Sequence, residues 1–260
     1  MKVLRVRHAG QTFYAQLRLG EHAVVCLDPT LALPEPVPLA AVALQPLLAP
    51  SKVVCVQANY RGQEDGTGRD RSDVPRLMLR PSSAVIGSGQ DIVLPPETSR
   101  VLPGCCLALV LGRTCRQVAP GDVPRYLFGY TCANGLTAAD LLERDGGPGR
   151  ATGYDTFAPM GPWIETNVAD CGNLPLRTLR NGRAIQEGST AALRFSPFEV
   201  VSFASSVMTL LPGDVVLTGT PDAAEPLAPG DSVRVEIDEV GVLINAVRAE
   251  AAPAAQAVIQ

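Results

Sequence analysis

Turn-forming residues punctuate this chain from end to end: 24 glycines and 23 prolines are spread over 260 residues. Proline lacks a backbone donor and glycine loses the most backbone entropy on folding, so neither suits the interior of a long helix or a central strand. A chain interrupted this often folds as many short elements joined by turns. Hydrophobic residues make up 46% of it and charged residues 18%, which supplies a sizeable core and argues against disorder. The length suits one large domain, or a large one with a small appendage.

The same numbers remove several classes of function. A net charge of -4 with no dense Lys/Arg cluster excludes a nucleic-acid partner. No apolar run approaches the ~20 residues that cross a bilayer, so no membrane association is expected. The opening residues Met1 to His8 alternate like a strand and do not resemble a signal peptide. Seven cysteines, an odd number at irregular spacing, read as reduced thiols, and a cytoplasmic location is the expectation. There is no CxxC pair, and the two histidines, His8 and His22, lie far in sequence from Cys105, Cys106 and Cys115, so a structural zinc site is not expected. Cys26, Cys55, Cys132 and Cys171 read as small hydrophobes.

Along the chain, Val3 to Val25 predicts two or three strands of a meander, with turns at Ala9-Gly10 and Gly20-Glu21. Residues 28–50, rich in Pro, Ala and Leu, read as a linker with one short helix near 39–48. Strands are predicted at 52–57, 106–111, 214–218 and 232–237, and helices at 136–144 and 197–210. Residues 61–75 read as a charged, Gly-rich mobile loop, and the last ten residues as a frayed tail.

Four blocks stand out: GYDTFAPMGP at 153–162, RNGRAIQ at 180–186, LPGDVVLTGTP at 211–221, and LAPGD at 227–231 followed by VGVLIN at 240–245. Each has a physical reading of its own. Asn181-Gly182 is the preferred two-residue hairpin turn, and Pro212-Gly213 sets a tight turn before a buried strand. Thr218 to Pro221 ends a strand with small residues whose amides and hydroxyls suit a carboxylate; a plain strand end is the alternative. In this order and spacing the blocks resemble the fumarylacetoacetate hydrolase superfamily over roughly residues 52–247. The resemblance implies a mostly β (α+β) fold, a mixed β-sheet roll with a small amino-terminal β domain. It divides the chain into 1–50, 51–250 and the tail 251–260, and implies a homodimer or a heteromer with a metal-bearing homologue.

That family holds Mg²⁺ or Mn²⁺ between two Glu of an ExE strand and an Asp of a following ND segment. Here Gly104, Cys106 and Gly135 stand at those three places. Hard dications need several hard oxygen ligands, and one thiol between two glycines offers none, so no metal cofactor is expected. The lid position that holds a His in the family is Gln63, which cannot exchange a proton near neutral pH. A family Lys is Thr152 here, and another is Arg80, which keeps a charge able to grip a carboxylate. The segments 59–63 and 101–114 also resemble the metal-poor amino-terminal half of the bifunctional homoprotocatechuate-pathway isomerase/decarboxylase.

The resemblance makes Arg80, Tyr130, Asn134 and Thr220 the expected lining for a small keto-dicarboxylate-like ligand. For Tyr130 and Asn134 the alternative is structural hydrogen bonding in the sheet. Glu64 and Asp65 are candidates for a surrogate base, against a reading as solvated loop charges. Cys106 is a candidate nucleophile, against a reading as buried packing. Three functions follow as expectations: a weak or partner-dependent isomerase/decarboxylase relative, a non-catalytic binding or assembly subunit, or a metal-free enzyme of a biosynthetic pathway.

Overall fold

A computed structural model describes residues 1–31, 36–63, 73–221 and 225–251. The amino-terminal meander forms as the alternation predicts: strands Lys2–His8, Gln11–Arg18 and Ala23–Cys26 pair antiparallel. Ala9 and Gly10, both at positive φ, turn the first pair. Leu4, Val6, Phe13, Ala15, Leu17 and Val24 form a cluster of their own. The meander nevertheless continues the main sheet, because Lys2 and Val3 pair with Glu165 and Ile164.

That sheet runs, from the meander inward, through Ala158–Glu165, Leu127–Asn134, Cys105–Leu111, Val215–Leu217 and Val53–Gln57 to the edge strand Arg76–Arg80. Val215–Leu217 and Val53–Gln57 pair parallel, and their main-sheet neighbours pair antiparallel. A second sheet orders Arg183–Ser189, Pro175–Arg180, Ser232–Ile237, Gly241–Ala249 and Ile92–Leu94. Asn181 and Gly182, at φ 52° and 81°, make the expected two-residue turn.

The Cys105–Leu111 strand explains the layers. Cys105, Leu107, Leu109 and Leu111 face the second sheet and the helix Pro197–Val207, meeting Leu176, Val235, Ile237, Val200 and Ala204. Cys106, Ala108 and Val110 point the other way, with Cys55, Leu217, Ala133 and Met160. Both faces are covered, so the strand reads as an unbroken apolar run instead of an alternating one.

The linker differs from expectation. In place of a helix at 39–48 there is a single 3₁₀ turn, Leu39–Ala41, then a two-residue strand, Ala43–Leu44. Pro46 falls inside the predicted span, where it removes a backbone donor and biases its predecessor away from helical angles, so no helix runs through to residue 48. The predicted helix at 136–144 begins later, at Ala139, because Thr137–Ala138 pairs with Val101–Leu102. No helix of the described residues is long and apolar enough to cross a membrane.

Candidate functional site

Several strand ends open onto one cleft of about 330 Å³ on the Cys106 face of the large sheet. Cys55, Met78, Arg80, Cys106, Gly135, Leu217 and Thr220 line it, together with Thr152 from the helix Pro148–Gly153 and Gln63 from a turn. Asn59 positions that turn. Its side chain donates to Thr218 O at 2.7 Å and Phe195 O at 3.0 Å, and accepts from Phe195 N at 3.0 Å. Gln63 then closes the rim, donating to Thr220 O at 2.9 Å and accepting from Tyr60 N at 3.1 Å. Gly219 sits at φ 103°, and a Cβ there would lie 3.0 Å from Asn59 Cβ, so only glycine lets the two segments approach.

Arg80 ends the edge strand and is 3% exposed. Its Nη1 donates to the carbonyls of Leu136 at 2.7 Å, Phe157 at 3.0 Å and Thr152 at 3.1 Å. Its Nε has no partner, and no carboxylate of the described residues pairs with it. A buried cation whose partners among the described residues are neutral, three carbonyls and the Cys55 thiol, lacks a counter-charge. Its Nη2 lies 3.4 Å from where a Gly135 Cβ would be, as does Cys106 Sγ.

Gly104, Cys106 and Gly135, the positions that the resemblance assigns to metal ligands, do converge. Gly135 N donates to Gly104 O at 2.7 Å, and Cys106 Sγ donates to the same carbonyl at 3.3 Å. A Cβ on Gly104 would stand 2.8 Å from Thr220 Oγ1 and 3.0 Å from Gly135 O, so the space a longer side chain would use is taken. Burial pushes the Cys106 thiol up, helped by neighbouring Cys105 and Cys55 and only partly opposed by Arg80. Cys55 is raised by burial as well, again against Arg80. Among the described residues no group of three or more His, Cys, Asp or Glu is arranged to hold a metal. Protonated thiols and a guanidinium do not fit a hard dication, and the carbonyls beside them bring no anionic charge.

The cleft thus gathers Arg80, Cys106 and Thr220 but not the other two expected lining residues. In the Leu127–Asn134 strand, Tyr130, Cys132 and Asn134 face the second sheet, while Ala133 faces the cleft side. Tyr130 is half-buried, with its hydroxyl against the Cys171 thiol, and burial raises its pKa. Asn134 works from behind: its Oδ1 accepts from Gly104 N at 2.9 Å, fixing the glycine beside the cleft, while its Nδ2 has no partner. Strand alternation carries this distinction, since residues 130, 132 and 134 share a face that excludes 133 and 135. Cys55 and Met78 were missed as lining, and alternation about Cys55 in its strand is the signal that could have found the first. Glu64 and Asp65 lie outside the described residues, as does most of the predicted tail.

Thr220 is set by its own neighbours. Gln186 Nε2 donates to Thr220 Oγ1 at 3.1 Å and to Pro221 O at 3.0 Å, while Gln186 Oε1 accepts from Cys105 N and Thr178 Oγ1. With its oxygen accepting from Gln186, the threonine keeps its own proton to donate.

Fold and cleft together define a β roll whose pocket, among the described residues, is lined by one buried cation. The chain belongs to the fumarylacetoacetate hydrolase family: the family description "Fumarylacetoacetate (FAA) hydrolase C-terminal" matches residues 52–248. An uncharacterized protein of Archaeoglobus fulgidus is 43% identical over 209 residues, 80% of this chain and 83% of that protein. Rat mitochondrial oxaloacetate tautomerase Fahd2a is 34% identical over 253 residues, 91% of this chain and 80% of that protein. The crystal structure of 5-carboxymethyl-2-hydroxymuconate delta-isomerase from Mycobacterium smegmatis superposes with a TM-score of 0.88 at 34% identity, covering 97% of this chain and all of that one.

Proposed function

We propose that this chain is an isomerase-type member of the family that seats the carboxylate of a small keto acid on Arg80 beside Gly135, without Mg²⁺ or Mn²⁺. One observation carries the reading: a buried guanidinium with no counter-charge among the described residues, facing a cleft at the vacancy a glycine leaves. A bound carboxylate neutralises Arg80, and the Thr220 hydroxyl is free to donate to an enolate oxygen formed next to it. The names of the tautomerase and isomerase relatives support a keto–enol or double-bond shift as the reaction type. No carboxylate or histidine lines the cleft among the described residues, and burial keeps the Cys55 and Cys106 thiols protonated, so turnover by the pure chain is expected to be weak or to need a homologous partner.

The test is conversion of oxaloacetate enol and of 2-hydroxyhepta-2,4-diene-1,7-dioate by the pure chain, with EDTA and then with added Mg²⁺. Slow turnover that ignores EDTA, is lost in Arg80→Met and is partly retained in Arg80→Lys fits the proposal. Fast, Mg²⁺-stimulated turnover sinks it. A second reading, a binding subunit without turnover, is favoured by Gln63 in place of an ionisable lid residue. Keto-acid binding by calorimetry with no turnover, alone or with a metal-bearing homologue, would select it.

A further inference from the structure

Resting on that reading of Arg80, we propose that the cleft selects a monocarboxylic 2-oxo acid with an apolar arm over a diacid of the same length. Arg80 is the one cation of the described lining, so it can neutralise one carboxylate. A cavity of about 330 Å³ is far larger than that group needs, since a water takes ~30 Å³ of liquid. Much of the remaining wall is apolar, with Met78, Leu142 and Leu217 contributing side chains. The polar side chains of the described lining beyond Arg80 are uncharged: Gln63 is bonded to Thr220 O and Tyr60 N, Thr152 donates to Pro148 O, and Thr220, Gln57 and Thr137 offer at most neutral dipoles.

A second carboxylate placed in this cleft gives up its water and meets no opposite charge among the described residues. If it stays in solvent instead, the ligand's arm is drawn off the apolar wall and that burial is forgone. Either way the diacid binds less well than the monoacid. The expected signature has two parts. The monoacid binds roughly tenfold more tightly, and lengthening it strengthens binding by up to about fourfold per added methylene.

The experiment is calorimetric titration of the full chain at neutral pH with 2-oxohexanoate and 2-oxoadipate, then with 2-oxobutanoate and 2-oxooctanoate. Gly135→Asp is the control, because its carboxylate would fall beside Arg80 Nη2 and occupy the ligand's place. Tighter binding of 2-oxohexanoate, rising with arm length and abolished by Gly135→Asp, supports the proposal. Equal or tighter binding of 2-oxoadipate, still abolished by Gly135→Asp, overturns the selectivity and leaves Arg80 as the carboxylate seat. If none of the acids binds, or Gly135→Asp binds them as the wild type does, the seat itself is wrong and the inference falls with it.

Discussion

A guanidinium ringed by three carbonyl oxygens is solvated by protein dipoles but not neutralised. Such a charge persists where something else completes it, and the glycine opposite Arg80 leaves that place open. Gly104 acts differently, as a close-packing residue whose missing Cβ makes room for the Thr220 hydroxyl. Gly104→Ala is therefore expected to cost about 1–3 kcal/mol by overpacking, measured as a shift in denaturant midpoint. Adding Thr220→Ala should recover part of that loss, and strictly additive effects would show that the two do not compete for space. The cysteines give a second check at this scale. Six of the seven are buried, Cys26 being half-exposed, and burial raises the Cys106 thiol. Iodoacetamide at pH 8 should label Cys26 alone in the folded protein, read by peptide mass spectrometry. Rapid labelling of Cys106 would mean its thiolate is far more accessible than this packing allows.

Elements formed where local chemistry was unambiguous. The Asn181-Gly182 turn, the meander and the strand ahead of Leu111 all follow from turn residues and apolar runs. The helix Pro197–Val207 starts with a full capping box: Ser196 Oγ accepts from Glu199 N, and Glu199 Oε2 accepts from Ser196 N at 2.8 Å. Ser196→Ala should destabilise the chain by about 1 kcal/mol, seen as a lower melting temperature with no change in ligand affinity. The linker went the other way, since apolar composition suggested a helix over 39–48 that Pro46 interrupts. The facing of Tyr130 and Asn134 was also open to a period-two reading, yet only if the strand's start was known, and a one-residue slip exchanges the two faces.

At the scale of the molecule, the meander is tied to the large sheet through Glu165. Burial alone would raise this carboxyl, but Lys2 at 2.6 Å, the terminal ammonium at 2.8 Å and Asn167 N at 3.0 Å outweigh it and hold it at about 2. Because the folded value lies below the ordinary 4.5, the stability this group contributes is present above about pH 4.5 and is lost as pH falls toward 2. Glu165→Gln should therefore be less stable at neutral pH and show a flatter acid limb between pH 4.5 and 2 in urea titrations. An identical acid limb in both proteins would remove Glu165 from the account. Asp214 makes a comparable tie, accepting from Ser51, Lys52 and Leu211 around the turn that leads into Val215–Leu217.

What the sequence determined by itself was the family, the fold class and the turns, because these rest on residue identity and on spacing along a strand or turn. Tertiary structure alone decided that Arg80 from an edge strand and Gly135, just past the end of an inner one, meet over a single cleft, that Thr220 occupies the space beside Gly104, and that Asn134 supports this cleft from behind. Those facts depend on distances between segments far apart in the chain, and burial removes Arg80 from the water that would otherwise solvate its charge.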